Sequence, residues 1–128
     1  MNIWSGDFPD MNDGADGWKF LAPVRSAEKD KMGLFHLKGN VWEWCEDIYH
    51  FEIHDKLAFK KKRSQKAYIE QGYDIGNNEN AQDYRVIKGG SYLCHKSYCA
   101  GYRPEARQKA KFNETFAHIG FRIVKDIK

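Results

Sequence analysis

Apolar and polar residues alternate over short stretches of this chain, and long helical periodicity is scarce. Between residues 41 and 45 successive side chains point to opposite sides, with Trp42 and Trp44 on the same one. This alternation predicts a short β-strand that follows a turn at residues 39–40. Two more segments, at residues 85–88 (RVIK) and 119–124 (IGFRIV), are also predicted to be strands.

The other segments are predicted to be loops and turns. Gly, Asn and Asp recur at short intervals in the first thirty residues, which we interpret as turns around a few anchoring aromatic side chains. Residues 33–38 are predicted to form one helical turn or a short strand. Residues 55–83 are polar, with a predicted short helix over residues 60–71 and a basic cluster at residues 60–63. A solvated surface explains this cluster better than a nucleic-acid contact does.

The composition fits one folded domain of 128 residues. The net charge of +3 is too small to indicate a nucleic-acid partner. Apolar residues make up 41% of the chain and aromatic residues 15%, which is enough for a packed core. No apolar run reaches the roughly 20 residues of a membrane span. The first residues lack the features of a secretory signal, so we expect a cytoplasmic location if Met1 is the genuine start.

The three cysteines are too few and odd in number for a disulfide-stapled scaffold. On a straight strand Cys94 and Cys99 would lie about 17 Å apart on opposite faces. A bend at residues 95–97 would instead bring their sulfurs together, either as a disulfide or around a soft metal. Two thiolates suit linear Cu(I) better than Zn²⁺, which takes four ligands. The spacing alone favours a disulfide or free thiols, and His95 is interpreted as a surface or hydrogen-bonding residue.

The residues around this pair resemble the formylglycine-generating enzymes, the sulfatase-modifying factor family. The segment RVIKGGSYLCHKSYCAGYRPEAR is similar to the family's active-site segment, and the matching positions are Arg85, Gly89, Gly90, Ser91, Cys94, His95, Ser97, Tyr98, Cys99, Tyr102, Arg103, Ala106 and Arg107. Three further motifs agree in order along the chain: NIWSGDFP at residues 2–9, GNVWEW at 39–44 and IGFR at 119–122.

This resemblance implies an oxidase that converts a Cys in a C-x-P-x-R motif of a sulfatase to Cα-formylglycine, with O₂ and a thiol reductant. The family's two active-site cysteines hold Cu(I) and match Cys94 and Cys99, and the substrate Cys would add a third thiolate. The implied partner is an unfolded sulfatase polypeptide or a C-x-P-x-R peptide. Two alternatives remain: a non-catalytic binding module on the same scaffold, and a structural or metal-storage module in which the pair is only a disulfide.

The resemblance also assigns roles to residues near the cysteines. Ser91 and Trp42 would line the pocket for oxygen and the substrate thiol, and Tyr98 would hydrogen-bond nearby. Arg103 and Arg107 are candidates for binding the substrate backbone. Each has a structural alternative: Trp42 and Tyr98 can be packing residues, Ser91 can cap a turn, and the arginines can form structural ion pairs.

Two structural Ca²⁺ sites are implied by the family, as carboxylate, amide and carbonyl oxygens are the ligands that Ca²⁺ prefers. The first falls on Asn2, Ile3, Asp16 and Trp18. The second falls on Gly39, Val41 and Glu43, with His36 in place of the family's Asn or Asp. Because imidazole is a poor Ca²⁺ ligand, we expect this second site to be weakened, completed by water or lost.

The implied fold is α+β, of the C-type-lectin-like kind, with little regular secondary structure. Residues 1–128 would form a single domain that matches the C-terminal portion of the family's domain, so the sequence is expected to be partial and inactive by itself. Two segments depart from the family pattern. His118 replaces a small polar residue before the closing motif, and residues 112–116 replace its usual T-P-D-S stretch.

Overall fold

The computed structural model describes residues 1–49 and 83–127. The strands are β1 Trp42–Ile48, β2 Tyr84–Lys88, β3 Gln108–Lys111 and β4 Ile119–Gly120. They form one four-stranded sheet in the order β3-β2-β1-β4. Strand β2 runs antiparallel to both β1 and β3, whereas β4 lies parallel to β1.

The two central strands confirm the strands predicted around Trp42 and at residues 85–88. Strand β1 pairs with β2 at Glu43 and Trp44, and a shift in register follows before Ile48. Strand β1 therefore continues three residues beyond the predicted segment. Alternation is visible in β1 because Trp42 is buried and Trp44 packs against the same core.

The core lies on one face of this sheet and includes one of the paired cysteines. Its buried members are Trp42, Ile87, Cys94 and Ala110. Partly buried side chains close it at the edges, and these are Ile3, Trp44, Cys99, Tyr102 and Ile119. The residues predicted to carry chemistry are therefore continuous with the apolar core.

The strand predicted over residues 119–124 is wrong beyond its first two residues. Strand β4 pairs with β1 only at Ile119 and Gly120. After that the side chain of Arg122 turns back to Glu43, while Ile123 and Val124 are exposed. A local apolar pattern does not make a strand without a partner edge to pair with.

Residues 33–38 form bends and irregular backbone, so the predicted helical turn or short strand is wrong. Gly33 and His36 both have a positive φ, of 80° and 52°. Neither a regular helix nor a strand accommodates such residues. The turn predicted at residues 39–40 is confirmed, and both of its residues have positive φ.

Asn40 joins the N-terminal loops to the sheet. Its side-chain oxygen accepts hydrogen bonds from Asn2 Nδ2 at 3.0 Å and from the backbone N–H of Ala22 at 2.8 Å. Its own backbone N–H donates to the carbonyl of Asn2, and its carbonyl accepts from Tyr92. The side chain and backbone of one buried asparagine thus hold together three loops that have little secondary structure of their own.

Irregular backbone predominates in the described ranges, which confirms the predicted low content of regular secondary structure. No α-helix occurs within residues 1–49 or 83–127, so no helix of these ranges is long and apolar enough to cross a membrane. The helix predicted over 60–71 and the basic cluster at 60–63 lie outside the described residues. The helical part of the α+β class therefore stays a prediction.

Candidate active site

Cys94 and Cys99 lie at the two ends of a tight loop that follows β2. The carbonyl of His95 accepts hydrogen bonds from the backbone N–H groups of Tyr98 and Cys99, at 3.1 and 2.9 Å. This turn is the bend predicted at residues 95–97. It reduces the Cα–Cα distance between the cysteines to 5.2 Å, and the two sulfurs form a disulfide in the structure.

The two cysteines differ in environment. Cys94 is 3% exposed and belongs to the core, whereas Cys99 is half-buried at its edge. The carbonyl of Cys94 accepts a hydrogen bond from the N–H of Trp4, and the N–H of Gly101 approaches the Cys99 sulfur to 3.4 Å. Backbone from the N-terminal segment and from the residues just after Cys99 therefore fixes the position of the pair.

Ser91 and Tyr98 both hydrogen-bond to the backbone of Leu93, which immediately precedes Cys94. The hydroxyl of Ser91 accepts from the Leu93 N–H at 3.2 Å, and the hydroxyl of Tyr98 donates to the Leu93 carbonyl. Ser91 is 1% exposed and caps the turn, as the structural alternative predicted. Burial raises the pKa of Tyr98, so its hydroxyl stays protonated and remains a donor at neutral pH.

Trp42 lies beside the loop that carries the cysteines. Its indole ring covers Gly101 so closely that a Cβ at that position would overlap Trp42 Cη2. Trp42 and Cys94 belong to one buried cluster. The indole is therefore both a core residue and a wall next to the sulfurs.

An aromatic cluster packs over the loop, and the sequence analysis did not identify it as part of the site. Phe8 lies between Trp4 and Tyr98, with ring centroids 5.2 and 4.5 Å away. His95 stacks on Phe8 from another side at 6.3 Å and accepts a hydrogen bond from the Ser97 N–H. Trp4 and Phe8 both belong to the NIWSGDFP motif, so the match of this motif to the family could have indicated their place at the site.

The structure relates Arg103 and Arg107 to the third cysteine, Cys45. Arg103 is exposed and lines a cavity of about 750 Å³ together with Trp44 and Cys45, and neither paired cysteine lines it. Arg107 is half-buried, and its positive charge acts on the thiol of Cys45. The role of the two arginines in substrate binding stays a prediction.

Cys45 is the free cysteine among the described residues. Burial and the nearby charge of Asp47 raise the pKa of this thiol, against the opposing charges of Lys88 and Arg107. Cys45 is therefore mostly a neutral thiol at pH 7, which is a poor state for a nucleophile or a metal ligand.

The predicted residues of the first Ca²⁺ set lie together in the structure. Both carboxylate oxygens of Asp16 accept backbone hydrogen bonds, from Ile3 at 2.9 Å and from Trp18 at 3.1 Å. Asn2 is 1% exposed, and its side-chain oxygen is buried without a hydrogen-bond partner in the described ranges. An orphaned buried oxygen is costly unless something fills its coordination, so this set fits a hard cation.

The described ranges contain no group of three or more His, Cys, Asp or Glu side chains that would hold a metal. The first Ca²⁺ set depends on one carboxylate, one amide and backbone carbonyls, and the copper set on two sulfurs. The donor chemistry of both sets suits the ion concerned.

A family model described as "Sulfatase-modifying factor enzyme 1-like domain" matches residues 1–127 of the chain. The chain belongs to this family. Its relatives include the formylglycine-generating enzymes of Thermomonospora curvata, 39% identical over 126 residues, and of Mus musculus, 37% identical over 125 residues. The corresponding enzyme of Streptomyces coelicolor is 37% identical over 125 residues. Each match covers 98% of this chain.

The family relatives are much longer than this chain. It spans 38% of the Thermomonospora enzyme, 30% of the mouse enzyme and 35% of the Streptomyces enzyme. The family match therefore covers almost the whole chain, whereas the chain corresponds to only about a third of the length of each enzyme.

One departure from the family pattern lies next to Trp42. The carbonyl of His118 accepts the Trp42 N–H at 2.8 Å, and its imidazole contacts Phe116 at 5.4 Å between ring centroids. Burial lowers the pKa of His118, so the ring is mostly uncharged at pH 7. The backbone at this position anchors β1 whatever the side chain is.

Proposed function

We propose that this chain carries the copper-binding part of a formylglycine-generating oxidase. The proposed reaction converts the Cys of a C-x-P-x-R motif in a sulfatase polypeptide to Cα-formylglycine, with O₂ and a thiol reductant. The observation that carries the proposal is the loop of residues 94–99, which brings two thiols together inside a family whose relatives are named for this activity.

The cysteine loop supports Cu(I) as the proposed metal. Reduction of the Cys94–Cys99 disulfide gives two thiols on residues whose Cα atoms lie 5.2 Å apart. Thiolates are the ligands that Cu(I) prefers. When bound, Cu(I) would supply the one-electron chemistry with O₂. The disulfide has to be reduced first, because a disulfide offers no thiolate.

The protein's own residues would hold this site in place and shield it. Ser91 and Tyr98 fix the Leu93 backbone and, through it, the position of Cys94. Trp42 covers the inner side of the loop and keeps water away from Cys94. Tyr98 on the loop and Phe8, which packs against it, are exposed and leave this side open for a polypeptide.

A direct test of the function is the conversion of a C-x-P-x-R peptide to its formylglycine form by a hybrid enzyme in which this chain replaces the matching part of a full-length relative, followed by mass spectrometry. Dependence on Cys94 and Cys99 separates this proposal from the binding-module alternative, in which neither thiol matters. Loss of conversion in Cys94→Ser and in Cys99→Ser supports catalysis, and unchanged conversion in either variant refutes it.

Calcium in the first set is the second part of the proposal. The ligands would be the side chains of Asn2 and Asp16 and the carbonyls of Ile3 and Trp18. The orphaned oxygen of Asn2 supports this assignment. The ion would connect residues 2–3 to residues 16–18, two loops that precede the sheet.

We expect Asp16→Ala to abolish stabilisation of the chain by Ca²⁺. A ligand at about 100 times its Kd stabilises the folded state by about 2.7 kcal/mol, and the variant would lose this gain. Thermal unfolding with added Ca²⁺ and with a chelator measures it. Asp10→Ala removes an exposed carboxylate from the same segment and serves as the control. If the Tm of the unmutated chain changes with neither added Ca²⁺ nor chelator, the proposal is contradicted.

A further inference from the structure

The imidazole of His36 has one nitrogen that is fixed in place and buried without a partner. Its Nε2 lies 3.0 Å from the carbonyl of Pro23. Because a carbonyl only accepts, Nε2 carries the proton of this hydrogen bond, and in the neutral ring Nδ1 then has a free lone pair. Nδ1 is buried and has no hydrogen-bond partner in the described ranges. The ring therefore presents a buried acceptor for which the described ranges supply no donor.

An unpartnered acceptor of this kind occurs at the first residue of both metal sets. Within residues 1–49 and 83–127, three buried side-chain polar atoms have no hydrogen-bond partner, and these are Asn2 Oδ1, Trp4 Nε1 and His36 Nδ1. The indole N–H of Trp4 is a donor, so the two acceptors among them belong to Asn2 and His36. A buried acceptor without a partner is costly, and a cation in each set would remove this cost. Asn2 offers an oxygen to that cation, whereas His36 offers a nitrogen.

Arg122 brings the backbone next to His36 close to the carboxylate of Glu43. One guanidinium nitrogen, Nη2, donates both to the carbonyl of Phe35 at 3.0 Å and to Glu43 Oε1. The Nε atom donates to Glu43 Oε2 at 2.6 Å. Each carboxylate oxygen has a second lone pair. The ion pair therefore orients Glu43 and still leaves its oxygens able to bind a metal.

Both side chains of the second set have the outer partners that are usual for metal ligands. A metal-bound His almost always donates its other ring N–H to a carbonyl or carboxylate, and a metal-bound carboxylate accepts hydrogen bonds in turn. The carbonyl of Pro23 has the first role for His36, and Arg122 has the second role for Glu43. This arrangement is the one expected around a His–carboxylate metal site.

We infer that His36 Nδ1 is a metal ligand and that the second set takes a divalent transition metal in place of Ca²⁺. The other ligands would be the Glu43 carboxylate and the carbonyls of Gly39 and Val41. Imidazole suits transition metals, whereas carboxylate and carbonyl oxygens suit Ca²⁺, Mg²⁺ and Mn²⁺. Mn²⁺ is the transition metal that also accepts such oxygens, so this mixture of one nitrogen with several oxygens favours it over Ca²⁺. The exchange of Asn or Asp for His thus changes which ion is bound, and the inference is independent of formylglycine formation.

Titration of the disulfide form of the chain with Mn²⁺, in an excess of Ca²⁺, tests the inference. The disulfide withholds the thiolates of the proposed copper site, and Ca²⁺ would occupy the first set. We expect one Mn²⁺ per unmutated chain and one per Asp16→Ala chain, which lacks the carboxylate of the first set. In His36→Asn the Mn²⁺ affinity should fall by more than about tenfold, the smallest loss that removal of an outer partner causes. Asn accommodates the φ of 52° at this position, so the variant keeps the local backbone.

Pulsed electron paramagnetic resonance of bound Mn²⁺ identifies the ligand directly. With isotope-labelled histidine, the unmutated chain should show magnetic coupling between Mn²⁺ and a histidine nitrogen. His118→Asn is the matched control, because it removes an imidazole elsewhere and should keep the coupling, whereas His36→Asn should lose it. The inference is overturned if the unmutated chain binds no Mn²⁺ in excess Ca²⁺, or if its bound Mn²⁺ shows no coupling to histidine. Mn²⁺ binding that is lost in Asp16→Ala and kept in His36→Asn would also overturn it.

Discussion

Replacing either Cys94 or Cys99 by Ser is expected to abolish tight Cu(I) binding by the reduced chain. The unmutated chain should bind one Cu(I), because the turn at residues 95–98 brings two sulfurs to one point. Loss of one sulfur leaves a single protein thiolate. We expect the loss in affinity to exceed the ~100-fold that removal of an outer-shell partner costs a metal site. Anaerobic titration against a competing Cu(I) chelator measures this.

Cys45→Ser is the matched control, since it removes the third cysteine and leaves the pair intact. The Cys45 thiol has a raised pKa and lines a cavity that neither paired cysteine lines, so we expect no change in Cu(I) affinity in this variant. The unreduced chain should bind no Cu(I). Equal affinity in Cys94→Ser and in the unmutated chain would contradict the assignment of the site, as would a loss in Cys45→Ser alone.

Gly39→Ala is expected to lower the free energy of unfolding by more than backbone strain alone would. Gly39 has a φ of +76°, and a Cβ at this position would overlap the backbone oxygen of Asn2. That oxygen cannot move easily because it accepts a hydrogen bond from the N–H of Asn40. Left-handed strain of about 1–2 kcal/mol adds to an overpacking cost of about 1–3 kcal/mol. Urea denaturation followed by circular dichroism measures the loss.

Gly33→Ala separates the two costs. Gly33 has a similar φ of +80°, but a Cβ there would meet nothing within 4 Å. We therefore expect only the backbone strain, about 1–2 kcal/mol. Gly39→Ala should also weaken Ca²⁺ binding, because it displaces Asn2. Equal losses in the two variants would show that the contact between Gly39 and Asn2 is not close in solution.

Local patterns in the sequence predicted the parts of the fold that local chemistry determines. Alternation around Trp42 predicted β1, and the spacing of Cys94 and Cys99 predicted a bend that the structure contains. The strand at residues 85–88 is also confirmed, although it does not alternate, since its adjacent apolar residues Val86 and Ile87 are both buried. Motif resemblance predicted the family, and the family match over residues 1–127 confirms it.

Contacts between distant residues account for what the sequence did not predict. The segment after Gly120 has an apolar pattern typical of a strand, but Arg122 reaches Glu43 instead of continuing the ladder. Asn40 was identified only as a turn residue. Its side chain, however, hydrogen-bonds to Ala22 and Asn2, which lie 18 and 38 positions earlier in the chain. The partners of such polar groups become visible only when the chain is folded.

The proposed site shows the same difference between what local motifs predict and what only the folded chain reveals. The cysteines and the Asn2–Asp16 set were found from motifs, and the structure brings each set together. A hydrogen bond of Tyr98 and a turn cap at Ser91 were among the expectations, but their shared partner, the backbone of Leu93, was not predicted, because backbone atoms carry no sequence signal. Arg103 carries the matching residue type but lies at another cavity.

Formation of formylglycine is the most direct test of the account. Because the chain spans 38% of the Thermomonospora enzyme, the assay uses a hybrid in which residues 1–128 replace the matching 126 residues of that enzyme. The reduced, Cu(I)-loaded hybrid is incubated with O₂, a thiol reductant and a C-x-P-x-R peptide, and the peptide is analysed by mass spectrometry. We expect a formylglycine product with the unmutated and Cys45→Ser hybrids, and none with Cys94→Ser or Cys99→Ser. A folded hybrid that binds Cu(I) but leaves the peptide unchanged, or a Cys94→Ser hybrid that converts it, would contradict the account.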